Sequence, residues 1–162
     1  MTQPKITIKT PAQFIASGFG SGCAPVAPGT FGTLAALPFW VGLTVLPLWA
    51  YLLVIVMASL FGFYICQKAS DELGVHDHGG IVWDEFVGLW ITMIAIPFSV
   101  TNMVIGFILF RIFDIIKPWP IRVADQKIGG GVGIMIDDMI AGVIACGVFH
   151  LLRLYVPIPG LL

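Results

Sequence analysis

The sequence predicts an all-α, multi-spanning membrane protein with about four to five membrane-embedded helices, some of them short and two of them paired as a hairpin. Three observations carry that prediction. Of the 162 residues, 58% are hydrophobic and 10% are charged. Soluble domains average about 45–50% and about 25%, and a water-soluble globule of this length cannot bury so much apolar side chain. The few charges are also confined: residues 10–67, 86–110 and 139–152 contain no Asp, Glu, Lys or Arg. A bilayer offers free backbone groups no partner, so a spanning helix takes about 20 apolar residues in a row, and these gaps have room for several. Finally, 8 basic residues against 9 acidic ones give a net charge of -1. That balance provides no basic patch for nucleic acid, and the apolar content excludes a disordered chain. The whole of 1–162 reads as one domain.

Taken in order, the N-terminal gap opens as a loop. Residues 16–33 read ASGFGSGCAPVAPGTFGT, and Gly and Pro at that density serve turns and close backbone approach. A first span is expected at about 33–46, with Pro38 near its start where a helix tolerates it. It ends at Leu46-Pro47-Leu48, and a second span follows at about 49–66. Residues 86–110 are broken in the middle by Ile96-Pro97-Phe98-Ser99. A single span there would place the polar segments 67–85 and 111–134 on opposite sides of the membrane. A hairpin with arms at about 84–96 and 102–116 returns them to one side, and is preferred because the charged motifs in both segments suit one site. A last helix covers about 135–156. With the hairpin, Lys5, Lys9, Lys68, Arg111, Lys117, Arg122 and Lys127 share one side and Arg153 has the other, which makes the crowded side cytoplasmic. The N-terminus lacks the continuous apolar core of a signal peptide. Cys23, Cys66 and Cys146 have no metal-type spacing and read as small buried thiols.

Charge at membrane depth is costly, so its placement is informative. Five of the nine carboxylates fall in three short motifs beside apolar helices: Trp83-Asp84-Glu85, the segment from Arg111 through Asp114 to Lys117, and Ile136-Asp137-Asp138. Acidic pairs in a first helical turn can simply complement the helix dipole. They are also the hard oxygen donors that Mg²⁺ takes, one or two carboxylates alongside substrate phosphate oxygens. Asp84, Glu85, Asp137 and Asp138 are therefore the candidate metal ligands. Arg111, Asp114 and Lys117, spaced i, i+3, i+6, form either a salt-bridged stripe or a phosphate clamp in which Arg forks two oxygens. Arg122 is a candidate addition to the clamp. The glycine-rich turns supply Ser21, Gly29 and Thr30 as candidate phosphate contacts. His76-Asp77-His78 could ligate a metal but more often such a trio is solvated loop.

Four stretches, GFGSGCAPVAPGTFGTLAALPFW (18–40), LGVHDHGGIVWDEFVGLWIT (73–92), FRIFDIIKPWPIR (110–122) and GGGVGIMIDDMIAGV (129–143), together resemble the phosphatidylglycerophosphatase A family. They occur in order and cover well over a third of the chain. The resemblance implies an all-helical, Mg²⁺-dependent enzyme of the bacterial inner membrane. It would hydrolyse the terminal phosphate of phosphatidylglycerophosphate, with the bilayer as its surroundings.

The residues agree with that chemistry by elimination. A Cys-x5-Arg nucleophile is absent, as are Asp-x-Asp-x-Thr, the Lys-x6-Arg-Pro and Ser-Gly-His motifs of His-nucleophile lipid phosphatases, and the Asp-Gly opening of CDP-alcohol phosphotransferases. Metal-assisted hydrolysis remains, with Asp84, Glu85, Asp137 and Asp138 on the ion and Arg111 and Lys117 on the phosphoryl group. Asp114 either orients the clamp or serves as general base. Another lipid phosphate as substrate, a divalent-cation transporter and a non-catalytic membrane subunit are the alternatives.

Overall fold

The computed structural model describes residues 6–75 and 78–155, and among these it is entirely helical. Seven α-helices follow one another: α1 (Pro11–Ala16), α2 (Pro28–Leu43), α3 (Leu48–Leu73), α4 (Trp83–Thr92), α5 (Val100–Ile116), α6 (Ile121–Lys127) and α7 (Gly130–Tyr155). A single 3₁₀ turn at Ser21–Cys23 lies between α1 and α2.

The short helix α4 forms the centre. All ten of its residues are buried, and it packs against α2, α3, α5 and α7. The closest approach is to α7, where small residues remove the side-chain layer. A Cβ on Gly142 would run into the Gly88 carbonyl oxygen, and one on Gly88 would meet the Phe110 ring and the Asp138 carbonyl. Thr92 Oγ1 donates to Gly88 O at 3.0 Å, within its own helix. Small residues and hydroxyls at a helix crossing let apolar helices pack closely without a hydrophobic driving force.

Helices α3 and α7 are long and apolar enough to cross a membrane. At 26 residues each they extend about 39 Å, against about 30 Å of hydrocarbon. The outer side of α3 exposes Leu52, Leu53, Val56, Met57, Leu60 and Phe61. A contiguous apolar face of that kind marks a surface that meets a membrane or another protein.

The chain reverses between α4 and α5, as the hairpin reading expects. Ser99 caps α5, its side chain accepting from Asn102 N at 3.0 Å, and Asn102 Nδ2 donates back to Pro97 O at 2.9 Å. The helix starts differ from expectation in one consistent way. α2 begins at Pro28 rather than near residue 33, and α7 at Gly130 rather than 135. The glycines that read as loop lie inside these first turns, because their missing side chains are what let the turns pack. A Cβ on Gly32 would clash with Val82, and one on Gly131 with the backbone of α3 at Phe63 and Gln67. α3 overruns its expected end by one polar stretch, Gln67 to Leu73, and stops at Gly74 in the left-handed conformation. The three cysteines are thiols; Cys66 is fully buried as expected, whereas Cys23 and Cys146 are only partly buried.

Candidate active site

The site is built at one end of the bundle, where the first turn of α4, the first turns of α2, the last turns of α5 and the N-terminal third of α7 converge. Asp84 and Glu85 occupy the first turn of α4, yet each is only 9% exposed, and Asp138 on α7 is 3% exposed. The carboxylates of Asp84, Glu85 and Asp138 each place an oxygen within 4.8 Å of the others. Three acidic groups so close together, out of water, repel one another unless a cation or a bound proton neutralises them. Two of their oxygens, Glu85 Oε2 and Asp138 Oδ2, are buried and make no hydrogen bond.

Dipole complementation fails to explain the second acidic pair. α7 starts at Gly130 and has no acidic residue in its first turn, so Asp137 and Asp138 sit two turns in, beyond the reach of the helix terminus. Adjacent residues on a helix point about 100° apart, and the structure separates these two accordingly. Asp138 joins Asp84 and Glu85. Asp137 instead accepts from Lys117 Nζ at 2.6 Å, and the same ammonium reaches Asp125 Oδ1 at 2.5 Å. The four carboxylates expected around a metal therefore divide into a cluster of three and one that is ion-paired.

The basic motif divides in the same way. Arg111 and Asp114 form a close ion pair on α5. Arg111 Nη1 also lies 4.0 Å from Glu85 Oε1 and 3.4 Å from Thr33 Oγ1. Its Nε is buried and makes no hydrogen bond, so part of the fork is uncommitted. Lys117 leaves the stripe because it is no longer helical. It caps α5 in the left-handed conformation, with φ 45°, and Pro118 follows. Partial burial works against its ammonium, but the hydrogen bonds and charges of Asp125 and Asp137 outweigh that and hold its pKa above the ordinary lysine value.

Of the glycine-loop candidates, Gly29 touches the site directly. A Cβ there would collide with Glu85 Oε1 and come within 3.3 Å of Arg111 Nη1. Thr30 is partly buried in the first turn of α2, its N–H already donating to Ala27 O at 2.9 Å. Ser21 spends its hydroxyl locally, on Gly18 O at 2.9 Å. Arg122 is exposed on α6, off the side that buries Ile121 and Ala124. His78 is buried and its Nδ1 accepts from Gly80 N at 3.0 Å, a turn-holding contact. His76 and Asp77 lie outside the described residues.

Two participants went unrecognised in the sequence. Thr33 is fully buried, donates to Gly29 O at 2.9 Å and faces Arg111. Asp125 holds Lys117. Thr33 becomes visible once 28–33 is read as helix, because residues four apart share a face and Gly29 and Thr33 then line up. Asp125 had no local signal.

Buried hard oxygen donors beside a partly uncommitted guanidinium can hold a divalent cation and a phosphate at once. Residues 14–153 match the family model described as Phosphatidylglycerophosphatase A. The chain is 46% identical over 98% of its length to Phosphatidylglycerophosphatase A of Escherichia coli (strain K12), covering 92% of that protein. It is 48% identical over 87% of its length to the Haemophilus influenzae protein of the same name, covering 88% of it. A Bacteroides thetaiotaomicron protein named "Putative phosphatidylinositol-3-phosphatase" is 40% identical over 80% of the chain and 85% of its own length. No solved structure matches the chain.

Proposed function

The chain belongs to the phosphatidylglycerophosphatase A family, and from that premise we propose that it hydrolyses the terminal phosphate of phosphatidylglycerophosphate. The products are phosphatidylglycerol and inorganic phosphate, a step of phospholipid synthesis. The observation that carries this reading is the buried trio Asp84, Glu85 and Asp138 with Arg111 beside it.

Mg²⁺ fits the donor set. All the donors are carboxylate oxygens, and two of the buried ones have no hydrogen bond to satisfy them. Asp84, Glu85 and Asp138 would hold the ion. Bound there, it supplies Lewis-acid charge for phosphate oxygens and lowers the pKa of a water. The protein's own groups do the rest. Arg111 receives the phosphoryl oxygens and stabilises charge that grows on them, which is the dominant need in phosphoryl transfer. Asp114 fixes the guanidinium plane, and Thr33 and Gly29 fix its distance from Glu85. Asp114, paired with Arg111 and facing Asp138 of the trio, is placed to orient the clamp or to serve as general base. The cage of α2, α4, α5 and α7 keeps bulk water from the trio, while the acyl chains stay against the apolar outer helices.

In this reading α3 and α7 cross the bacterial inner membrane and the shorter α2, α4 and α5 are embedded beside them, giving the expected four to five membrane helices. The site faces the cytoplasm. Lys9, Lys68, Arg111, Lys117, Arg122 and Lys127 gather at the site end, and Arg153 alone of the described basic residues is at the other, which matches the positive-inside rule. A cation path has little use for Arg111 against its carboxylates, which disfavours transport.

The name of the Bacteroides relative favours a second reading, another lipid phosphate monoester as substrate. One assay addresses both. Phosphate release by the purified protein in detergent is measured on phosphatidylglycerophosphate and on phosphatidylinositol 3-phosphate, with and without Mg²⁺, for wild type and Arg111→Lys. The expected result is Mg²⁺-dependent release from phosphatidylglycerophosphate, with kcat/KM lowered on the order of 10-fold or more in Arg111→Lys, because Lys keeps the charge but not the fork. Equal kcat/KM would remove Arg111 from the phosphate. Preference for the inositol lipid would establish the second reading.

A further inference from the structure

The divided carboxylates bear on how many divalent ions the site holds. Two-metal phosphatases place ions about 3.5–4 Å apart and need carboxylates enough to hold both. A sequence with Asp84, Glu85, Asp137 and Asp138 has enough of them, but the fold commits one elsewhere. Lys117 Nζ sits between Asp137 Oδ2 at 2.6 Å and Asp125 Oδ1 at 2.5 Å. An ammonium bonded to two carboxylates at these distances fills the place a second cation would take and already neutralises part of their charge.

The backbone enforces this arrangement. Lys117 ends α5 in the left-handed conformation with Pro118 next, so its side chain leaves the stripe of Arg111 and Asp114. α6 then carries Asp125 to the far side of the ammonium. The side chain of Asp137 is 9% exposed, and leaving such a carboxylate buried without a positive partner is strongly destabilising. The cluster of Asp84, Glu85 and Asp138 receives no such resident ammonium. Arg111 comes only to 4.0 Å of Glu85, and Glu85 Oε2 and Asp138 Oδ2 remain buried and unbonded.

We propose that Lys117 is a built-in replacement for a second divalent cation, so that the protein binds one ion per chain, at Asp84, Glu85 and Asp138. The proposal rests on the metal reading given above. It changes the role of Lys117 from phosphate ligand to neutraliser of Asp137 and Asp125.

The probe is Mn²⁺. The full-length protein in detergent is titrated with it, and bound ion is counted from the loss of the free Mn²⁺ electron paramagnetic resonance signal. Wild type should bind one Mn²⁺ per chain. Lys117→Met, which keeps most of the side-chain volume and removes the charge, should bind a second one at least tenfold more weakly, at the vacated Asp125 and Asp137. Asp125→Asn should stay at one. Two ions in wild type would overturn the inference and leave the metal reading intact, whereas no bound ion in wild type would overturn the metal reading and this inference with it. A stoichiometry of one in folded Lys117→Met would show that the ammonium is not standing in for a cation.

Discussion

The two ends of α4 handle polar groups in opposite ways. In its last turn and beyond its C-terminus, the backbone carbonyls are answered by side chains from neighbouring helices. His150 Nε2 lies 2.9 Å from Ile94 O, Arg153 Nη1 lies 3.4 Å from Ala95 O, and Tyr51 donates to Trp90 O at 2.6 Å. Elsewhere towards that end, the buried side-chain atoms without a hydrogen bond, Trp40 Nε1 and Asn102 Oδ1, are neutral. At the N-terminal end the corresponding atoms, Glu85 Oε2, Asp138 Oδ2 and Arg111 Nε, belong to ionisable groups. An unmet neutral group costs about 1–3 kcal/mol, whereas an unmet charge costs several. The protein thus accepts at one end a cost it avoids at the other. Stability does not reward that, whereas the proposed binding of a cation and an anion would.

If the contrast is sound, changes at the two ends should separate activity from stability. The largest effect is expected for Asp138→Asn, which removes a ligand oxygen from the trio. It should lower kcat/KM by about 10²-fold or more, measured as phosphate release in detergent. Gly29→Ala should follow at about 10-fold, because the added methyl meets Glu85 and Arg111 and displaces both, and sub-ångström misplacement of catalytic groups is costly. Near-normal turnover in Gly29→Ala would mean that α2 does not set the geometry of the pair. The smallest effect on turnover belongs to the other end. His150→Phe should leave kcat/KM unchanged within about twofold and cost about 1 kcal/mol of stability for the lost hydrogen bond, read from unfolding in detergent. A loss of activity there without a loss of stability would erase the distinction between the ends.

Much of this organisation was legible in the residues. Gaps free of charge located α2, α3, α4, α5 and α7, though not the short α1 and α6, and the break at Ile96-Pro97-Phe98 located the reversal that carries Arg111 back to Glu85. The acidic and basic motifs pointed to the end of the molecule where Asp84, Glu85, Asp138 and Arg111 come together. What the sequence hid is geometric. Asp137 and Asp138 are chemically alike and adjacent, and only the helix phase of α7 sends one to the trio and the other to Lys117. The i, i+3, i+6 spacing holds for Arg111 and Asp114 and fails at Lys117, because the left-handed cap redirects it. Glycine-rich stretches look like loop by composition, yet Gly29, Gly32, Gly131 and Gly133 are helical, since the space their side chains would need is taken by Glu85, Val82 and neighbouring backbone. Asp125 reaches Lys117 only through the placement of α6, a tertiary relation with no periodic signature. The expected contacts from Ser21 and Arg122 had chemistry in their favour, but Ser21 spends its hydroxyl on Gly18 O and Arg122 is exposed on α6.

In the proposed reading, Asp84, Glu85 and Asp138 are held together for ligand binding at a cost to the fold. Measuring kcat/KM and the Tm of metal-free Asp138→Asn in the same detergent preparation as wild type separates that cost from a structural role. Replacing one buried charge of the trio by a neutral amide of the same shape relieves repulsion. Activity should therefore fall about 10²-fold or more while the metal-free Tm stays equal or rises. A Tm that falls together with activity would contradict it, and would make Asp138 a structural residue whose loss inactivates the protein by unfolding it.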